Sequence, residues 1–474
     1  MPNLLLASLW PVNTMNGIPS TSYMSISAHY EHSGSGVTPG NPLIDALPLD
    51  ANVQDTRRRL SYFPPKPGPG ERKSSELVRI AELARLGQLC IPLKAHNRAS
   101  IQLSRLIRQA YERRNPFSVE DLQRRHRIAL ADASSIPLAA SPDDKALTLA
   151  ILGVSGSGKS TFADAFGLPF NVVIEHRSHA GRSLNLRQIP WMKLRMPHDG
   201  TLKALCAQFF ARVDSILGTT NYAQAARSVR LLRHIAPLMQ QVVTAISLGV
   251  LVLDEFQNLR SAKGKELHLL LEFLLTLSKV TGVAIVIIGT PAIDRVLPKR
   301  DRAKLGLSTA GECGFAPLRG QDWKEFGDRY WEYQFVKNPG PLTPAIRAAW
   351  YRASAGNPGF ASTSFVLAQR LEIGGREQLD AASFERVRYT EMATLGPAVQ
   401  ALRRGDRRSL AEFDDLLPRS DAGSLMDLFT GVPRPNSEGK GPDAGEFEDF
   451  AAGVSTSFTK SRQSTAKDRV SRRN

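Results

Sequence analysis

Residues 148–162 read Thr-Leu-Ala-Ile-Leu-Gly-Val-Ser-Gly-Ser-Gly-Lys-Ser-Thr-Phe, and no other stretch limits the fold as tightly. An apolar run, Leu149 to Leu152, breaks into Gly153-Val-Ser-Gly-Ser-Gly158-Lys159-Ser160, after which Thr161-Phe162-Ala163 opens a helix-like segment. Strand, G-x-x-x-x-G-K-[ST] loop and helix in that order make a phosphate cradle. The glycines let the backbone curl so that its N–H groups point at an anion, and the helix N-terminus adds its dipole. Gly153, Ser155, Gly156, Ser157, Gly158, Lys159, Ser160 and Thr161 are the predicted nucleotide contacts. Lys159 is expected to reach the β- and γ-phosphates, and Ser160 to place its hydroxyl on Mg²⁺. The bland alternative is a chance glycine turn, and the agreement of strand, loop and helix weighs against it.

A second motif is Gly249-Val-Leu-Val-Leu-Asp254-Glu255, an apolar run ending in two acids. This is the Walker B arrangement, in which a buried strand delivers both carboxylates to its C-terminal edge beside the phosphate loop. Asp254 is expected to hold Mg²⁺ and belongs with Ser160 to the metal set. Glu255 is expected to orient and deprotonate the attacking water. A third strand ends in Gly289-Thr290-Pro291. If it lies between the two motif strands, Thr290 can sense the γ-phosphate; otherwise it only terminates a strand. Just beyond it, Arg300 and Arg302 are candidates for an arginine that reaches a neighbouring subunit's nucleotide, against plain surface charge.

Around these motifs, apolar strand-like runs alternate with helical patterns, which argues for a parallel sheet covered on both faces, an α/β fold. Strands are expected at 147–152, 171–176, 187–195, 248–253 and 283–289, with helices over 201–217 and 222–246. The division that follows is a disordered 1–70, a helical module over 71–140, a nucleotide-binding core over 141–298, a helical lid over 299–415 and a mostly disordered tail over 416–474. Within 1–70, a short docking segment is expected near Leu43 to Leu49. No lid arginine sits at the usual contact point, although Arg347, Arg352 and Arg370 are nearby.

Charge points to a partner. The 474 residues carry a formal net charge of +16, which favours an acidic partner such as nucleic acid; the alternative is a solubility surplus in the tails. Basic residues cluster at Arg98, Arg105 and Arg108, at Arg124 to Arg127, and between Arg177 and Arg195. In the last of these, Arg182, Lys193 and Arg195 lie where a basic hairpin or loop could track a phosphate backbone; the alternative there is an ordinary strand pair with a charged edge, and for the helical arginines a solvated face. Cys90, Cys206 and Cys313 are scattered, so neither a disulfide framework nor a zinc site is indicated and a cytoplasmic setting fits. No stretch reads as a membrane span.

Phosphate loop, Asp-Glu strand, polar-ended strand and lid together resemble the AAA+ branch of the P-loop ATPases. Other pieces are more specific. His96-Asn97-Arg98 and Tyr111-Glu-Arg-Arg-Asn-Pro116 precede the loop. Gln188-Ile-Pro-Trp191, Pro197-His-Asp-Gly200 and Asp254-Glu-Phe-Gln257-Asn258-Leu259 follow it. Over roughly residues 75–375 these resemble the TnsC/TniB family of transposition regulator ATPases. The resemblance implies a protein that binds ATP and Mg²⁺ and forms a ring or helical filament, hexamer- or heptamer-like, on double-stranded DNA, gripped by residues of the stretch Arg182 to Lys203, with Arg182, Lys193, Arg195 and Lys203 as the expected contacts. It implies recruitment of a transposase to a target marked by a TniQ-type targeting protein, with disassembly on hydrolysis. Two other readings stay open. One is a helicase loader or replication initiator with the same core; the other is a signalling or scaffold NTPase that binds no DNA.

Overall fold

The computed structural model describes residues 23–30, 40–48, 52–131, 145–228, 232–262, 265–293, 297, 302 and 306–405. All of them belong to one compact unit. The expected tail over 416–474 lies outside the described residues.

The centre is a five-stranded sheet in the order β5-β6-β7-β2-β8. Its strands are β2 (Thr148–Gly153), β5 (Trp191–Arg195), β6 (Val250–Asp254), β7 (Ala284–Gly289) and β8 (Glu312–Phe315). Every neighbouring pair is parallel. Both faces are covered, so side chains partition with the two-residue period of a strand. Leu149, Ile151, Val250, Val252, Val286 and Ile288 face one apolar cluster, with Leu103, Leu106, Phe162 and Phe166. Leu251, Leu253, Ile285 and Ile287 face the other, with Phe209, Phe210, Met239 and Leu274. The helices responsible are α5 (Lys94–Glu112) and α7 (Lys159–Gly167) on the first face. On the second they are α8 (Leu202–Leu217), α10 (Leu232–Ala245) and α11 (Lys265–Thr281).

A separate three-stranded sheet, β1-β3-β4, is made of β1 (Met24–Ser27), β3 (Val172–His179) and β4 (Arg182–Gln188). The expected single strand over 187–195 is therefore two strands of different sheets. Ile189-Pro190 separates them, because proline carries no N–H for a ladder. The expected helix over 222–246 is helical over Asn221–Ser228 and Leu232–Ala245, and 229–231 lie outside the described residues.

Three domain expectations need correction. Residues 1–70 are not unstructured throughout: β1 pairs in parallel with β3, and Leu43, Ile44 and Leu47 are buried in the core. Nor does 71–140 form a module of its own. Leu83 and Leu86 join the apolar cluster of the lid, whereas α5 packs on the central sheet and α6 (Val119–Ala129) on α10. The nucleotide core also extends past 298, since β8 pairs with β2. Beyond it, α12 (Gly320–Trp331), α13 (Pro344–Ser354), α14 (Pro358–Glu372) and α15 (Ala381–Tyr389) build the helical lid around Trp350. Among the described residues, no helix is long and apolar enough to cross a membrane.

Candidate nucleotide site

The site lies where β2, β6 and β7 end. Parallel strands place their C-terminal ends on one edge, and helices that follow present their N-termini there. Gly153 ends β2 against Phe315 of β8. A Cβ at this position would lie 2.4 Å from the Phe315 carbonyl oxygen, so only glycine lets the loop leave the strand here. Gly158 caps α7 in the left-handed region at φ +86°. Lys159 is folded over its own loop, donating from Nζ to the Val154 carbonyl at 2.9 Å and to Ser157 Oγ at 3.4 Å. Ser155, Gly156, Ser160 and Thr161 all retain some exposure at this edge.

β6 sets the acids. Asp254 Oδ1 accepts from Ser160 Oγ at 3.1 Å, which joins the two predicted metal ligands. The same oxygen accepts from the Glu255 N–H at 2.9 Å. Glu255 itself has φ +58°, a strained conformation for a residue with a side chain. Strain of this kind turns the carboxyl out of the strand direction. Its Oε2 accepts from the Gln257 amide nitrogen, while Gln257 Oε1 accepts from the Thr290 N–H at 3.2 Å. Gln257 thus ties the second acid to the end of β7. β7 lies between β2 and β6, the position that the sensing role of Thr290 requires. Thr290 Oγ1 is buried and has no hydrogen-bond partner among the described residues, a costly state for a hydroxyl unless a ligand meets it.

The donor set fits a nucleotide with Mg²⁺: a hydroxyl and a carboxylate 3.1 Å apart, beside a loop ammonium and an orphaned hydroxyl. Hard oxygen donors of this kind, few in number, suit Mg²⁺ shared with phosphates and water.

Three sequence expectations fare differently. Lys193 stands on β5 with Nζ bonded to Asp164 of α7 and 3.5 Å from Asp254 Oδ2, because the alternation of the strand turns it to the sheet face that α7 covers. Arg302 is buried in its own subunit, donating to the Leu297 carbonyl at 2.8 Å and pairing with Glu312 at 3.4 Å. That placement does not suit an arginine reaching into a neighbour; Arg300 lies outside the described residues. Arg182, Arg195 and Lys203 are exposed, at the start of β4, the end of β5 and the start of α8. Arg182 also lies over the Phe117 ring at 3.9 Å. In the cluster Arg124 to Arg127, Arg124 and Arg125 turn inward to buried Asp121.

Gln257 and His96 entered the sequence reading only as pieces of the family resemblance, with no role given to either. His96 on α5 stacks on Phe162 of the helix that follows the loop. Its Nδ1 accepts from the Leu93 N–H at 3.2 Å, which leaves the proton on Nε2. Burial pushes its pKa down to about 4, so the ring stays neutral. A His in an amphipathic helix gives no sign of such a place before the fold is known.

No curated protein sequence matches the chain significantly. Solved structures resemble it at low identity. The Walker-type ATPase PABY2304 of Pyrococcus abyssi is 15% identical, with 65% of this chain and 89% of that chain covered and a TM-score of 0.37. The ORC1 protein of Aeropyrum pernix in complex with DNA is 15% identical, covering 60% and 76%, with a TM-score of 0.35. The RuvB Holliday junction branch migration motor of Thermotoga maritima is 13% identical, covering 70% and 97%, with a TM-score of 0.30. Residues 143–297, which carry the phosphate loop, both acids and Thr290, match the family model of the AAA domain.

Proposed function

We propose that the chain is an ATP-hydrolysing regulator of transposition that assembles on double-stranded DNA. The observation that carries the ATPase part is the connected set Ser160–Asp254–Glu255–Gln257–Thr290 at one sheet edge. Backbone N–H groups of the loop and Lys159 bind the phosphates. Ser160 and Asp254 hold Mg²⁺, which supplies positive charge to the transferring phosphoryl group. The Glu255 carboxylate takes a proton from the attacking water, and Gln257 holds that carboxylate in its strained place. Thr290 offers its hydroxyl to the γ-phosphate. Proton removal by a positioned carboxylate contributes about 10²–10⁴-fold to rate.

The DNA and transposition parts are supported by the net charge of +16, by exposed Arg182, Arg195 and Lys203, and by the resemblance to TnsC/TniB ATPases. On this reading the chain forms a ring or filament on DNA and links a TniQ-type targeting protein to a transposase. Hydrolysis dismantles the assembly, and Arg300 remains the candidate trans arginine. The test is electron microscopy of the protein with duplex DNA, with a non-hydrolysable ATP analogue and with ADP. Assemblies on DNA with the analogue alone are expected, and they weaken steeply as salt rises. No assembly in either state would contradict the reading and favour a scaffold NTPase.

A further inference from the structure

Two of the lid arginines, Arg347 and Arg352, are engaged within the lid, the first with the Lys324 carbonyl and Asp328 and the second with Glu385. At the phosphate loop stands Asn357, fully buried at the N-cap of α14. Its Oδ1 accepts from the N–H groups of Gly359 and Phe360, at 3.0 and 3.3 Å, which is ordinary capping. Its Nδ2 does something capping does not require: it donates to the Ser155 carbonyl of the phosphate loop at 2.8 Å. Beside it, the Gly359 N–H reaches the Gly156 carbonyl at 2.8 Å. A Cβ on Gly359 would come within 2.9 Å of Gly156 Cα, so the close approach depends on glycine. Val154 of the loop is buried in the apolar cluster of the lid, which holds the two parts in register.

In a trans peptide unit the carbonyl and the N–H point in opposite directions. Ser155 O and Gly156 N–H belong to one unit. A donor that fixes the carbonyl from the lid side therefore turns the N–H to the opposite side of the loop and polarises it as a donor. The amide of Gly156 donates to no acceptor among the described residues. It is the kind of group a phosphate cradle uses.

We propose that Asn357 is a positioning residue for the phosphate loop: by holding the Ser155 carbonyl, it pre-orients the Gly156 N–H for polyphosphate, so the lid contributes to nucleotide affinity through the loop backbone. The inference rests on the nucleotide-binding reading above. Pre-organised donors bind more tightly because their ordering is already done.

The experiment uses the full chain and two substitutions. Asn357→Asp keeps a strong helix cap but replaces the donor with an acceptor, and Asn357→Ser keeps a cap too short to reach the loop. Binding of ADP and of inorganic pyrophosphate is measured by calorimetry, with the thermal midpoint as the control for lid folding. Both variants are expected to bind both ligands about tenfold more weakly, the loss of one hydrogen bond to an anion-binding unit, while the midpoint falls clearly in Asn357→Asp alone, whose carboxylate is buried against the Ser155 carbonyl. Wild-type affinity in both variants overturns the proposal. So does a loss of affinity accompanied in both by a matching fall in midpoint, which marks Asn357 as a cap alone. Failure of the wild-type chain to bind ADP would instead remove the nucleotide reading itself.

Discussion

In the lid, Arg79 and Glu377 meet through paired contacts of 2.6 and 2.7 Å with both side chains almost sealed from solvent. At the nucleotide edge of the sheet, Lys193 stands 3.5 Å from Asp254 while also bonded to exposed Asp164. The lid pair is saturated. Arg79 also donates to the Ser74 and Phe335 carbonyls, and Glu377 accepts from the Gly374 and Lys337 N–H groups. The sheet edge leaves Thr290 Oγ1 without a partner among the described residues, whereas backbone strain does not separate the regions, since Glu255 and Glu377 have φ of +58° and +57°. One region spends its charges on joining residues far apart in sequence; the other keeps polar groups ready to exchange partners. The difference separates a structural ion pair from a reactive set, although both contain buried carboxylates.

Breaking the lid pair is expected to have the largest structural effect. Arg79→Ala strands the Glu377 carboxyl and removes the tie between α4 (Glu76–Glu82) and the lid. The expected loss is about 3–5 kcal/mol in unfolding free energy, measured by denaturant titration. A change below about 1 kcal/mol would place this pair among ordinary surface bridges.

A smaller effect follows from pH. Burial alone would raise the Glu377 carboxyl, but its hydrogen bonds to Arg79 and the two backbone N–H groups outweigh this and hold it at about 2. The group is depressed, so its contribution is complete above the ordinary carboxylate range and is lost as pH falls from about 4.5 towards 2. Thermal midpoints measured across that window should fall less steeply in Glu377→Gln than in the wild type. Identical slopes would exclude Glu377 as the source.

The smallest effect is expected at the exchangeable edge. Lys193→Ala removes an ammonium that competes with Mg²⁺ for Asp254. A partly exposed contact of this length is worth about 0–1 kcal/mol, so the Mg²⁺ concentration for half-maximal hydrolysis should drop up to about fivefold. A rise would show Lys193 helping to hold phosphate instead.

How much was legible in the sequence also differs between the regions. The phosphate loop, Asp254 and Glu255 are contiguous motifs whose spacing carries their geometry, and β2, β6 and β7 fall where apolar runs predicted them. The docking segment near Leu43 to Leu49 was legible, but the surfaces on which it and the helix before α5 dock were not. Leu43, Leu83 and Leu86 have local patterns that say only that one side is apolar, and the surfaces that cover them come from distant chain. The ion pairs of Lys193 and Arg302 were not legible for a related reason: a basic residue's partner, here Asp254 or Glu312, is a tertiary fact. β8 is four residues long, too short to show a period. The bridge made by Gln257 between Glu255 and Thr290 joins two strands and has no signature in either.

The account stands or falls on Glu255 as the base at an otherwise intact site. The most direct measurement compares ATP binding and steady-state hydrolysis of wild type and Glu255→Gln under the same Mg²⁺ concentration. The expected result is retained ATP affinity with turnover lowered by about 10²–10⁴-fold. Wild-type turnover in the variant would contradict the account, because the water would then be activated by some other group.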